Sequence, residues 1–152
     1  MPERPTSPAP ELIQTHSLTE TIEAGRRFAQ QLSVGDCVAL IGPLGAGKTQ
    51  FARGVALGMG LDDGRMVHSP TFVLMQEYPC RVPVYHLDAY RLVDPVGELE
   101  DLGFEEFLTD GVVLLEWADR AAGLLPDGSW QVTIEITGAT DRQITLGRLH
   151  GR

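Results

Sequence analysis

Lysine is almost absent from this chain: one lysine stands among 152 residues, beside eleven arginines. Asparagine is missing altogether, which removes the Asn-Lys-x-Asp guanine reader that a regulatory GTPase requires. The two cysteines, Cys37 and Cys80, have neither the spacing of a metal site nor the density of a disulfide-stapled secreted scaffold. No apolar stretch approaches the roughly 18 residues of a membrane-spanning helix. No basic cluster is longer than Arg26-Arg27, and the net charge is −9. Direct, backbone-driven binding to nucleic acid needs a basic face that displaces counterions, and this chain has none to offer. The expectation from these absences is a reduced, cytoplasmic, acidic protein that meets neither membrane nor nucleic acid directly.

The single lysine, Lys48, sits in Gly42-Pro43-Leu44-Gly45-Ala46-Gly47-Lys48-Thr49, which fits the pattern G-x-x-x-x-G-K-[ST]. An ammonium is a compact point charge that reaches between phosphates, whereas a guanidinium is a broad planar fork. Keeping one Lys in an arginine-rich chain therefore points to chemistry at that position. The motif requires a strand before it and a helix after it. Val38-Ala39-Leu40-Ile41 is an apolar run of the kind that forms a buried parallel strand. From Lys48 to Leu57, Phe51, Ala52, Val55 and Ala56 recur at helical spacing. The expected nucleotide cradle is Pro43, Leu44, Gly45, Ala46, Gly47, Lys48, Thr49 and Gln50. Its backbone N–H groups and the helix N-terminus would hold phosphate, and the Thr49 hydroxyl would serve Mg²⁺.

The length suits one compact domain, expected over residues 15–152, after a disordered proline-rich tail at 1–14 that carries Pro2, Pro5, Pro8 and Pro10. Ser17 to Leu32 reads as a first helix with a Ser17-x-x-Glu20 capping box. Thr71 to Glu77 and Val82 to Leu87 are spaced as a hairpin, so part of the sheet should be antiparallel. Pro95 to Leu108 is helix-like, Val112 to Glu116 a buried strand, and Ala118 to Leu125 a short helix. Val132-x-Ile134-x-Ile136 and Ile144-x-Leu146 alternate as strands with one wet face do. The fold class is α/β: a three-layer P-loop NTPase-like domain whose mixed sheet has a parallel core and antiparallel hairpins, flanked by helices.

A nucleotide site also needs acids at the carboxyl ends of neighbouring strands, to hold magnesium and orient water. Val112-Val113-Leu114-Leu115-Glu116 and Val84-Tyr85-His86-Leu87-Asp88 each run into such an acid. Each strand brings one acid, which leaves the division of roles between Asp88 and Glu116 open. In Ser69-Pro70-Thr71-Phe72, Thr71 is placed as a switch threonine would be, or as an ST-turn entering a strand. The acids Glu98, Glu100, Asp101, Glu105 and Glu106 read as a solvated helix face, with a partner-docking surface as the alternative.

Gly42 to Thr49, Ser69-Pro70-Thr71-Phe72, Tyr85-His86-Leu87-Asp88-Ala89-Tyr90-Arg91-Leu92 and Glu116-Trp117 together resemble the TsaE (YjeE) family of bacterial ATPases. The likeness runs from about Ser17 to about Arg142. It implies a Mg²⁺-dependent ATPase that supports N6-threonylcarbamoylation of adenosine 37 in tRNAs reading codons that begin with A. In that family the ATPase acts on the complex of the transferase subunit TsaD with its partner TsaB, and meets tRNA only through them. Carried over by residue, the likeness assigns Lys48 to the β- and γ-phosphates and Thr49 with Glu116 to Mg²⁺. Asp88 becomes the residue that orients water and Thr71 the sensor. Trp117 is placed near the site, and Arg142 at a position that approaches the nucleotide. A chain that is monomeric or weakly self-associating when isolated is expected. The readings to set against it are a small-molecule P-loop kinase, for which no arginine-rich lid is present, and a nucleotide-binding module without turnover.

Overall fold

The computed structural model describes residues 10–67 and 74–149. Its first element is a strand, β1 (Glu11–Thr15), which pairs antiparallel with the last strand, β7 (Arg142–Arg148), from Glu11 opposite Leu146 to Thr15 opposite Arg142. The expected tail of 1–14 is therefore too long: residues 11–14 belong to the sheet. Glu-Leu-Ile-Gln-Thr carries no clean alternation, and its strand character comes from a partner at the other end of the domain rather than from its own pattern.

Helix α1 (Leu18–Phe28) begins at Ser17, whose side chain accepts from the Glu20 N–H at 3.1 Å. The reciprocal bond of the box falls one residue early, since the Glu20 carboxylate accepts from the N–H of His16 at 2.8 Å. A single turn of 3-10 helix, Ala29–Gln31, completes the segment. Strand β2 (Cys37–Ile41) then leads into the motif loop and helix α2 (Lys48–Gly58). After the segment 68–73, which lies outside the described residues and contains Thr71, β3 (Met75–Tyr78) and β4 (Val84–Asp88) form the expected hairpin.

The helix expected over 95–108 is two helices, α3 (Pro95–Leu102) and α4 (Phe104–Asp110), broken at Gly103. Gly103 lies at φ 117°, a conformation open to glycine, and it closes α3 while opening α4. Apolar spacing continues through the break, from Leu99 to Phe104, which is why the periodicity conceals it. Strand β5 (Val112–Glu116) is followed by the 3-10 turns of Ala118–Leu124 and by β6 (Trp130–Ile136), which pairs antiparallel with β7.

Among the described residues seven strands lie in the order β1-β7-β6-β2-β5-β4-β3, and β6, β2, β5 and β4 run parallel. Every residue of β4 and β5 is buried. Such strands read as continuous apolar runs because helices cover both faces. On one face Val38, Leu40, Val112 and Leu114 pack with Phe28, Phe51 and Val55 under α1 and α2. On the other, Cys37, Ala39, Val113 and Leu115 pack with Leu99, Phe104 and Ala118. This is the three-layer α/β P-loop NTPase-like arrangement expected from the sequence.

Helices α1 and α2 touch backbone to backbone. A Cβ on Gly54 would stand 1.9 Å from the carbonyl oxygen of Ile22, and one on Gly25 would stand 2.2 Å from that of Phe51. Only hydrogen fits at either position, so the crossing itself selects these two glycines.

Candidate nucleotide and metal site

Strand β2 delivers the motif loop to the carboxyl edge of the parallel core, between β5 and β6. Gly45 and Gly47 take positive φ, 78° and 106°, which turns the loop back on itself before α2 starts at Lys48. Pro43, Leu44 and Gly45 are exposed, and Ala46 is buried. Lys48 is 6% exposed, and its Nζ donates to the carbonyl of Gly42 at 2.7 Å. The same ammonium lies 4.3 Å from the centroid of the Trp117 ring, a cation–π distance. Burial pushes the Lys48 pKa below its usual range, while the charges of Glu116, Asp88 and Asp119 pull it back up.

The two strand-end acids stand side by side. In the parallel ladder of β4 and β5, Asp88 is the register partner of Glu116, and Leu40 of β2 is the partner of Glu116 on its other side. By the two-residue period of a strand, Asp88 shares a face with Val84 and Glu116 with Val112 and Leu114. That is the face covered by α2, so both carboxylates point toward the layer that carries Lys48. Asp88 accepts from the Tyr90 N–H at 2.8 Å, and Glu116 Oε2 accepts from His86 Nε2 at 2.6 Å.

Trp117 follows Glu116 with φ 58° and ψ 39°, and among the described residues it is the only non-glycine at positive φ. A left-handed aromatic residue is costly, by roughly 1–3 kcal/mol, and such strain gathers at functional sites. Here it turns the indole onto Lys48, with Tyr90 packed against it at 4.7 Å between ring centroids.

A cleft of 290 Å³ is lined by Leu18, Leu44, Gly45, Gly47, Lys48, Thr49, Gln50, Glu116 and Trp117. The lysine, the threonine hydroxyl and the Glu116 acid thus share one cavity. Oxygen donors of this kind suit a hard cation such as Mg²⁺, which keeps several waters and takes few protein ligands. The Gln50 side chain accepts from Arg53, whose guanidinium also donates to the carbonyls of Gly64 and Val67.

Arg142, at the start of β7, faces the loop from behind. Its Nε donates to the carbonyl of Ala46 at 2.9 Å and its Nη2 to that of Gly45 at 3.2 Å, while Nη1 binds the carbonyls of Gly138 and Asp141. It grips the loop backbone itself. Two neighbours of the site lie outside the roles that the motifs assign: His86, which holds Glu116, and Asp119, which acts on Lys48. The signal for His86 was there: a histidine in the middle of a buried apolar strand needs a polar partner.

The family model described as "Threonylcarbamoyl adenosine biosynthesis protein TsaE" matches residues 15–144. The chain belongs to the TsaE family. It is 43% identical over 135 residues to the tRNA threonylcarbamoyladenosine biosynthesis protein TsaE of Bacillus subtilis (strain 168), covering 88% of this chain and 82% of that protein. A TsaE of Treponema pallidum (strain Nichols) is 35% identical over 133 residues, covering 87% and 96%. The crystal structure of YdiB from Bacillus subtilis matches with a TM-score of 0.72 and 30% identity, over 94% of this chain and 89% of that one. Among the described residues no helix is long and apolar enough to cross a membrane.

Proposed function

We propose that this TsaE-family chain binds and hydrolyses Mg²⁺-ATP and drives a tRNA-modifying complex that installs threonylcarbamoyl on adenosine 37. The observation that carries this reading is the single cleft in which Lys48, Thr49 and Glu116 meet, with Asp88 in register beside Glu116. Lys48 would release the Gly42 carbonyl and place its charge between the β- and γ-phosphates. The positive-φ turns at Gly45 and Gly47 would let backbone N–H groups face the same anion. Thr49 and Glu116 would hold Mg²⁺, which supplies neutralisation of charge developing on the transferred phosphoryl group. Asp88, buried and already bonded to the Tyr90 N–H through one oxygen, would orient the attacking water with its carboxylate. Thr71 is the proposed γ-phosphate sensor, and Trp117 covers the lysine.

The acidity of the chain supports a division of labour in which TsaD-like and TsaB-like partners hold the tRNA. The exposed acids Glu98, Glu100, Asp101, Glu105 and Glu106 on α3 and α4 fit a wet face. The deciding experiment is reconstitution with the transferase pair, tRNA and ATP, scoring repeated rounds of adenosine modification and phosphate release. Multiple turnovers that depend on this chain and on Lys48 are expected. A stoichiometric burst unaffected by the chain would overturn the role in the complex. ATP binding without phosphate release, with or without partners, would leave a binding module; phosphate appearing on a metabolite without the partners would make it a kinase.

A further inference from the structure

Behind the cleft, a hydrogen-bonded line crosses three strands. The hydroxyl of Tyr78 on β3 donates to Gln76 Oε1 at 2.7 Å and is hydrogen-bonded to Nδ1 of His86 on β4 at 2.8 Å. His86 Nε2 then meets Glu116 Oε2 on β5 at 2.6 Å. The spacing follows from the registers: Tyr78 lies opposite Val84, one step diagonal to His86, and His86 lies opposite Leu114, one step diagonal to Glu116. Tyr78 is 2% exposed, His86 fully buried and Glu116 3% exposed. None of Gln76, Tyr78 and His86 lines the cleft.

An imidazole held at both ring nitrogens cannot turn without breaking a hydrogen bond in a region closed to water, where each lost partner costs about 1–3 kcal/mol. Glu116 inherits that constraint. We infer that His86 is a positioning residue for the site: through the Tyr78–His86–Glu116 line it fixes one oxygen of Glu116, so that the carboxylate meets an incoming divalent cation already oriented. The inference rests on the reading of Glu116 as a Mg²⁺ acid. It assigns work to two side chains, His86 and Tyr78, that stand outside the phosphate cleft. Metal-binding carboxylates are in general oriented by such outer partners, whose removal costs roughly 10–100-fold in metal affinity.

The test uses the full chain and a fluorescent ATP analogue, titrated without metal and then with Mg²⁺ at saturating nucleotide. His86→Leu fills the space without a donor, His86→Gln restores one N–H, and Tyr78→Phe deletes only the outer hydroxyl. The expected result is a loss of roughly 10–100-fold in Mg²⁺ affinity for His86→Leu. Metal-free nucleotide affinity should be unchanged, His86→Gln should recover most of the loss, and Tyr78→Phe should show a smaller loss of the same kind. A His86→Leu protein that melts earlier but keeps its Mg²⁺ affinity would overturn the inference, because a purely structural histidine predicts that outcome. If His86→Leu does not fold, Tyr78→Phe decides by the same criterion. Glu116→Gln separates the two levels of the argument. Loss of Mg²⁺ affinity there, with none in the histidine and tyrosine variants, sinks only the positioning role; retained Mg²⁺ affinity in Glu116→Gln sinks the metal assignment and the inference together.

Discussion

Asp88 and Glu116 are register partners at the carboxyl ends of adjacent parallel strands, yet their immediate bonds differ. Asp88 accepts a backbone N–H from the turn that follows it, and Glu116 accepts an imidazole N–H from the core behind it. Glu116 also lines the cleft with Lys48 and Thr49. Glu116→Gln should therefore weaken Mg²⁺-dependent ATP binding by about tenfold or more, near 1.4 kcal/mol. Asp88→Asn should leave binding in place and slow hydrolysis by roughly 10²–10⁴-fold. Isothermal titration and phosphate release on the two variants check this, and the opposite pattern would exchange the two roles.

Lys48 gives a chemical probe of the proposed nucleotide site. It is the only lysine, so an amine-directed reagent followed by peptide mass spectrometry reads this site against the N-terminal amine alone. Burial holds its pKa below the usual lysine range, which enlarges the reactive neutral fraction. Mg²⁺-ATP should protect Lys48 and leave N-terminal labelling unchanged. Labelling of Lys48 that ignores saturating ATP would remove the phosphate assignment.

Arg142 spans the carbonyls of Gly45 and Ala46 with two different nitrogens. Arg142→Ala should lower nucleotide affinity by loosening the loop, and the loss should be present with or without Mg²⁺. Arg142→Lys should fail to restore it, because one ammonium cannot reproduce the fork. The variants should also lose about 1–3 kcal/mol of stability, measurable by urea unfolding.

The thiols set an alkaline limit on stability. Burial raises Cys37 from 9.0 to about 12 and Cys80 from 9.0 to about 11. Above pH 9 the unfolded chain releases protons that the folded chain retains, so the native state binds more protons and stability falls as pH rises. The fall is at most about 1.4 kcal/mol per thiol for each pH unit inside the window. Cys37→Ala should flatten this slope in urea unfolding measured on either side of pH 9.

Gly54→Ala drives a methyl into the carbonyl of Ile22 and must separate α1 from α2. The expected cost is about 3 kcal/mol or more, at the upper end of overpacking changes. A melting temperature close to the parent would show that the two helices yield more easily than their backbone contact implies.

The parts of this protein written locally were legible in its sequence. The apolar runs ending in Asp88 and Glu116, the turns around Lys48 and the cap at Ser17 are short-range patterns, and the parallel core follows from them. What escaped was fixed across distance. Strand β1 exists because β7 pairs with it, and the target of Arg142 lies 96 residues away at Ala46. The break at Gly103 escaped for the opposite reason, because a continuing apolar rhythm masked one left-handed residue. His86 lies within the Tyr85-His86-Leu87-Asp88 motif, but its partner Glu116 stands 30 residues on, beyond the reach of spacing within one strand.

Thr15, at the end of β1, pairs with Arg142, at the start of β7, and also hydrogen-bonds Thr21 on α1. Gly47 in turn approaches Thr21, its would-be Cβ 3.5 Å from that methyl. The glycine-rich loop before α2 is thus clasped by segments from both ends of the folded chain. Its closure depends on pairings between distant parts of the chain, and non-local closure of that kind is slow. The ordered form of this loop should therefore be among the last features to appear as the protein folds, as the late protection of its amides in pulsed hydrogen exchange would read.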